Sequence, residues 1–336
     1  MTQPSAGRSP GRVHLAVAEA RELSERVMRA SGYTADEARV IADHVVDAAL
    51  CGYEYSGLPK LLDAIEHPRS KLPRTSIRVL RETDVSMLLH AGNNIGMLAM
   101  PHAAKAAIEK AERHGIALVG VTNSWMSARS AYYAEMIARA NLISIITVSA
   151  GPQVAPLGGV GAVLGTNPIA FGLPGSPDPL IFDMGTSAMM FTDLSLRERT
   201  GERLPEGVAI DSEGGPTRDP AKARAGALLP FGGYKGFGLA LIVQALGLAA
   251  GSNLGSAKHY GYLIIAFKPD LLVPLDAFKR ELEELLARVK STPRQDGVDE
   301  IRIPSERSFR EREVRSKEGI EIDERIYKEL QRYAAS

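Results

Sequence analysis

Residues 228–241 read LLPFGGYKGFGLAL. A glycine-dense turn carrying one lysine runs straight into an apolar, helix-forming segment, and the rest of the chain is organised around that junction. Gly232, Gly233, Gly236 and Gly238 let the backbone come close to a ligand, while Lys235 adds a positive charge where helix N–H groups point outward. Such a turn suits an anion seat; it equally suits a tight surface bend with a solvated lysine. It is not a P-loop, because GxxxxGK[ST] is missing and glycine, not a hydroxyl residue, follows the lysine.

At 336 residues the chain has room for one large or two ordinary domains with sizeable cores. Its 40 basic and 40 acidic residues cancel, so no overall field argues for nucleic acid or an anionic membrane. One cysteine, Cys51, excludes an internal disulfide framework and any cysteine-based metal cluster, and fits a reducing, cytoplasmic setting. No histidine spacing suggests a metal site. The opening MTQPSAGRSPGR has no apolar core after its charges and reads as a disordered lead-in over 1–13. The longest apolar run, 236–251, is too short to span a bilayer.

Amphipathic spacing predicts a helix over 14–30, and Thr34 with Glu37 forms a capping box that opens a second over 34–50. A short helix follows near Leu61, Leu62 and Ile65, then a β-rich pair over 77–80 and 85–89. Helices over 97–114 and 130–140 alternate with apolar strand-like runs, IALVGVTNS and 142–148, as in a layered α/β domain. Strands are expected at 169–173 and 180–183, a polar surface excursion over 194–227, the strand YLIIAF, and helices over 275–289 and 323–334. GVGAVLG (159–165) nearly matches a dinucleotide fingerprint. Its spacing is one residue too long, no strand feeds it, and Asn167-Pro168 blocks the helix that should follow.

GTNPIAFGLP, IFDMGTS, LLPFGGYKGFGLAL and RIPSER occur in an order that resembles the malate/L-lactate dehydrogenase family of NAD(P)-dependent oxidoreductases, from about residue 15 to the end. That family also contains reductases of cyclic ketimine-2-carboxylates. The resemblance implies a non-Rossmann, three-layer α/β/α fold around a mixed sheet, with a helical N-terminal part, built as a homodimer. On this basis 14–72 is a helical segment contributing to the site, 73–275 the α/β cofactor-binding core, and 276–336 a C-terminal segment packing back on the N-terminal part. The resemblance implies NAD or NADP against Thr166, Asn167, Asp183, Met184, Gly185, Thr186 and Ser187, against Lys235 and Gly236, and near Ser305 and Glu306. It also implies a small substrate bearing a carboxylate, held by a cation such as Lys60 or Lys235.

The residues themselves allow both a binding and a plain structural reading. Asp183 ends an apolar strand and is able to accept hydrogen bonds from a ribose, or simply to cap that end. Asn167 sits in a Pro-bounded turn where an amide often satisfies its own backbone. Glu306 serves either the cofactor or a surface pair with Arg307.

Departures from the family pattern fall on its acid/base motifs. Glu54-Tyr55-Ser56-Gly57 stands where the family has Asp-Ser-His-Gly, so Ser56 occupies the place of the proton-donor histidine; Lys60 replaces an arginine. The stretch 123–128, Asn-Ser-Trp-Met-Ser-Ala, lacks a second histidine, and Val148 replaces an asparagine. Tyr55, Ser56 and Lys60 are therefore the candidate catalytic groups, with Trp125, Met126 and His259 expected at the substrate pocket. A serine hydroxyl does not titrate near neutral pH, whereas an iminium carbon already carries its proton and charge, so this change harms a 2-oxo acid reductase more than a cyclic imine reductase. Three readings stand: a hydride-transferring 2-oxo/2-hydroxy acid oxidoreductase, a cyclic imine reductase, and a nucleotide-binding protein that has lost catalysis.

Overall fold

In the computed structural model, which describes residues 11–253 and 260–335, strand β1 (Arg12–Leu15) leads into helices α1 (Val17–Ala30), α2 (Ala35–Leu50) and α3 (Pro59–Glu66). Next come β2 (Arg78–Glu82), β3 (Ser86–His90), α4 (Gly96–His114), β4 (Ile116–Ser124), α5 (Ser130–Arg139) and β5 (Ile143–Val148). β6 (Ile169–Leu173) and β7 (Leu180–Met184) precede α6 (Phe191–Thr200), β8 (Ala209–Ile210), α7 (Pro220–Ala225) and β9 (Ala227–Leu228). The chain closes with α8 (Tyr234–Ala249), β10 (Tyr260–Phe267), α9 (Leu275–Lys290), α10 (Glu306–Glu318), β11 (Ile320–Asp323) and α11 (Glu324–Ala334).

Local chemistry explains the main boundaries. Thr34 caps α2 by accepting from Glu37 N at 3.3 Å while the Glu37 carboxylate accepts from Thr34 N at 2.9 Å. Gly115, at φ 85°, lets α4 end in a left-handed residue before β4 begins. Asp219 caps α7 with Pro220 at its first position.

Seven strands form one mixed sheet in the order β2-β3-β4-β10-β5-β6-β7. β3 and β4 run parallel, and every other neighbouring pair in this sheet is antiparallel. Alternation along the strands gives the sheet one buried face and one that is only partly covered. Val119 and Val121 of β4 join α4 and α5 in one core, whereas a side chain at Gly120 would point the other way, onto Ala250 at the end of α8. Helices therefore lie against both faces.

A second core gathers α1, α2, α3 and α11 with β1 and β11. β1 pairs antiparallel with β11, Arg12 opposite Asp323 and Leu15 opposite Ile320, so the two chain ends are stitched together. The lead-in expected over 1–13 thus gives way at Arg12; a four-residue strand whose partner lies some three hundred residues on leaves no local signal. The polar stretch 194–227 is likewise no mere excursion. It contains α6, α7, β8 and β9, and buries Leu194, Leu204, Val208, Ala209 and Ala223 in a third cluster. Among the described residues no helix is long and apolar enough to cross a membrane.

Because Leu330 of α11 is fully buried against the N-terminal helices, Leu330→Ala is expected to destabilise the protein by about 2–5 kcal/mol in urea unfolding. A loss below about 0.5 kcal/mol would show that the terminal helix is not part of this core.

Candidate active site

The glycine turn and the end of β7 meet through their backbones. Phe231 N donates to Thr186 O at 3.0 Å and Ala188 N to Leu229 O at 2.7 Å, with Ser187 and Pro230 forming a bridge between them. Gly236 sits in this contact. A Cβ there would lie 2.1 Å from Phe231 O and 2.8 Å from Thr186 O, so only glycine fits. Gly185 is similarly confined, its missing Cβ facing Met190 Sδ at 2.5 Å.

Two cavities, of about 740 and 650 Å³, open beside this junction and share five lining residues: Lys60, Ala128, Pro168, Met190 and Thr192. The first is lined further by His67, Met126, Thr166, Phe191 and Tyr260, with a charged rim of Asp63, Glu66, Glu198, Arg199 and Arg224. The second is lined by Tyr53, Tyr55, Ser56, Arg129, and by Asp183, Met184 and Gly185 of the β7 end, facing Arg302, Ser305 and Arg307. Small molecules of two kinds thus have room side by side, with a narrow common wall.

Charge is distributed unevenly between them. Arg199 pairs with Glu66 at 2.5 Å and Glu329 at 3.2 Å, and Arg224 with Glu198 at 2.6 Å. Lys60 differs: it is only 5% exposed, and among the described residues its ammonium makes no hydrogen bond and no ion pair within 4 Å. Burial pushes its pKa down to about 8, the charge of Asp63 opposing the shift. Asp63, partly buried, is raised to about 6 by desolvation. His67 stacks on Trp125 at 4.6 Å, and burial with the neighbouring Arg69 charge lowers it to about 4. Tyr55 is raised by burial and by Asp183, so it stays a neutral phenol.

Comparison with known proteins places this geometry. Residues 15–331 match the family model described as malate/L-lactate dehydrogenase. The chain belongs to that family. It is 34% identical to a malate/(S)-sulfolactate dehydrogenase of Methanothermus fervidus, over 94% of this chain and 96% of the relative. It is 31% identical to a Delta(1)-pyrroline-2-carboxylate/Delta(1)-piperideine-2-carboxylate reductase of Pseudomonas aeruginosa, over 95% and 98%. The solved malate dehydrogenase of Pyrococcus horikoshii superposes with a TM-score of 0.87 at 28% identity, covering 98% of this chain and 97% of that one. This malate/L-lactate dehydrogenase family member is therefore an oxidoreductase of the class acting on CH–OH or C=N groups.

Several residues singled out in the sequence line these cavities: Tyr55, Ser56, Asp183, Met184, Gly185 and Ser305 the second, Met126 and Thr166 the first, Lys60 both. Others work inside the fold. Asn167 is fully buried; its amide donates to Ala240 O at 2.9 Å and Gln244 Oε1 at 3.0 Å, and its oxygen accepts from Ala150 N at 3.0 Å. Thr186 and Ser187 donate their hydroxyls to Thr166 O and Met189 O. Trp125, expected at the pocket, is fully buried behind His67 and donates from Nε1 to Asn93 O at 3.0 Å. Glu306 pairs with Lys290 and Arg310 rather than Arg307, whose guanidinium lies over the Tyr53 ring at 5.1 Å. Lys235 is exposed and lines neither cavity, while His259 lies outside the described residues. Asp183 accepts from Ala131 N at 2.7 Å, capping α5 with one carboxylate oxygen.

Sequence reasoning missed Met190, Phe191 and Thr192, which fall between the IFDMGTS motif and the stretch taken for a surface excursion, and the paired charges of α6 and α7, which lie within that stretch. The only legible signal was the Asp219-Pro220 cap of α7.

His67 is expected to stay neutral from pH 8 to 5 and to take up a proton only near pH 4, which imidazole NMR shifts would report. A midpoint near 6.5 would mean that the His67–Trp125 stack is open to water.

Proposed function

We propose that the protein is a nicotinamide-dependent oxidoreductase, with NADH or NADPH in the cavity lined by Asp183–Gly185 and Ser305 and a small 2-oxo or 2-hydroxy acid in its neighbour. The observation that carries this is the common wall. One buried ammonium, Lys60, reaches both cavities where the dinucleotide's reactive end and the substrate's C2 need to meet.

The residues present fit such a dinucleotide. Gly185 lines the cavity without a side chain, where a Cβ would press on Met190 Sδ, Ser305 with φ 64° stands at the start of α10, and Arg302 and Arg307 line the same cavity for phosphate charge. The arrangement is a non-Rossmann, three-layer α/β/α one: residues 159–165 lie in irregular chain, with Val154 bridged to Leu164, and do not form a strand-turn-helix. When bound, the nicotinamide supplies hydride to C2 of the substrate.

This chain's own residues hold and orient the acid. Lys60 attracts the carboxylate, since both rim arginines already face carboxylates and Lys60 does not. One unpaired cation favours a monocarboxylate over a dicarboxylate. The relative that reduces cyclic imines makes piperideine-2-carboxylate a second substrate to test, and Ser56 in place of an imidazole favours it.

The functional unit is a homodimer. Apart from Lys235 and Gln244 α8 is apolar, and a helix of that kind is normally buried, yet Leu239, Leu241, Ile242 and Leu248 are exposed, as are Ile116 and Leu118 on the sheet. A second copy of this chain covers them.

Nicotinamide fluorescence is expected to show micromolar binding of NADH or NADPH, and turnover with pyruvate is expected to exceed that with oxaloacetate. Absence of binding by both dinucleotides would remove the oxidoreductase reading. Binding without turnover of pyruvate, oxaloacetate or piperideine-2-carboxylate would leave only a nucleotide-binding protein. Introducing two charges, Leu241→Glu with Ile242→Glu, is expected to convert a sedimenting dimer into monomer; an unchanged mass would put the interface elsewhere.

A further inference from the structure

We infer that Lys60 is not only the carboxylate's counter-charge but the acid that protonates the substrate oxygen during reduction. This rests on the function proposed above and assigns a proton donor to the same site.

The geometry points to it by position and by elimination. Lys60 is the second residue of α3, held there by Lys60 N donating to Gly57 O at 3.0 Å, and its side chain is buried in the wall shared by the two cavities. Neither Thr192, the other polar group of that wall, nor the following groups around the two cavities serve. Thr192 and Ser56 carry hydroxyls that do not ionise near neutral pH, and Arg129 is permanently charged and tied to Asp47 at 2.6 Å. Tyr55 holds its proton too tightly, and Asp183 is engaged with the N-terminus of α5. His67 is neutral and stacked on Trp125. His44, the titratable neighbour on α2, is buried and its charged form disfavoured, and its Nε2 accepts from Arg129 N at 3.1 Å.

An ammonium has three donors on one nitrogen. A 2-oxo acid presents a carboxylate oxygen and the C2 oxygen on the same side, so one ammonium is able to contact both. As hydride from the nicotinamide forms the new C–H bond at C2, the C=O π bond breaks and the oxygen takes a proton from Lys60 Nζ. C2 is reduced, the dinucleotide is oxidised, and Lys60 is left as a neutral amine. Burial tunes lysine toward this role, because its ordinary pKa lies too high for ready transfer near neutrality. Asp63, three residues on, lines the same cavity 3.8 Å from Arg199, keeps its carboxylate partly exposed and interacts with the Lys60 charge, so it is the group placed to pass on a replacement proton. Glu66 and Glu198 complete the charged rim, each paired with an arginine.

Lys60→Arg separates the two duties, since arginine keeps the charge and cannot give up its proton. For 2-oxo acid reduction we expect the KM to stay within a few-fold and kcat to fall about 10²–10⁴-fold, with loss of the alkaline limb expected of the wild type near pH 8. Cyclic imine reduction, whose substrate brings its own proton, is expected to fall less. A Lys60→Arg enzyme with unchanged kcat and the same alkaline limb would show that Lys60 only holds the carboxylate. Should wild type and variant both lack turnover, the oxidoreductase reading fails and the acid role fails with it. Independent of turnover, the lysine ε-carbon NMR signal missing from both Lys60→Arg and Lys60→Met should titrate near pH 8 in the cofactor-free protein. A signal that stays charged through pH 10 would overturn the assignment. Lys60→Met, apolar and of similar length, is expected to fold and to lose both substrate affinity and kcat.

Discussion

The close backbone contact of Gly236 with Phe231 and Thr186 is the constraint on which the site depends. It brings two segments some fifty residues apart, the β7 end and the start of α8, to hydrogen-bond distance, and any side chain larger than hydrogen at 236 would part them. From that fixed point the chain has no freedom in where Asp183, Met184 and Gly185 face. Asn167 braces the same region from behind by tying the 150 loop to α8. Polar side chains that look like ligand contacts in sequence are here the fasteners of the cavity wall.

Beneath the second cavity a chain of charges locks the helices. Arg129 reaches Asp47 of α2; Arg312 of α10 reaches Asp47 at 3.0 Å and clasps Glu135 of α5 through two bonds of 2.9 and 2.7 Å. Such buried pairs contribute little net stability against apolar replacements, but removing one partner leaves an uncompensated charge and costs several kcal/mol. Their consequence is geometric. α2, α5 and α10 are held in one register, and α10 carries Ser308, whose hydroxyl donates to Tyr53 at 3.1 Å across the cavity floor.

Much of the fold was legible because its signals are local. The Thr34–Glu37 box, the Gly115 stop and the apolar runs of β4, β5 and β10 each follow from residues within a turn or strand of one another. What was not legible depends on partners far away. α10 (ERSFREREVRSKE) buries only Ser308, starts without a side-chain cap and is held by ion pairs to other helices, so in sequence it resembles a solvated charge run. β1 exists only because β11 lies beside it. Trp125 illustrates the limit at the site: its sequence neighbours place it near the cleft, but only packing reveals that His67 stands between it and the cavity.

Lys60 shows how the same structure treats charge when it is not a fastener. Arg199, Arg224, Arg129 and Arg312 each face carboxylates within ion-pair distance, although of the four only Arg129 is buried. Lys60 is as deeply buried as any of them and meets only the more distant charge of Asp63, so its protonated form is the least supported cation in the site. At the N-terminal turn of α3 the helix dipole also disfavours it. On the role proposed for Lys60, a carboxylate entering the first cavity would supply the missing counter-charge and stabilise the ammonium, and transfer of its proton would relieve the remaining cost. In that proposal one unfavourable burial drives both binding and proton delivery; arginine at the same place would accept it permanently and methionine would abolish it.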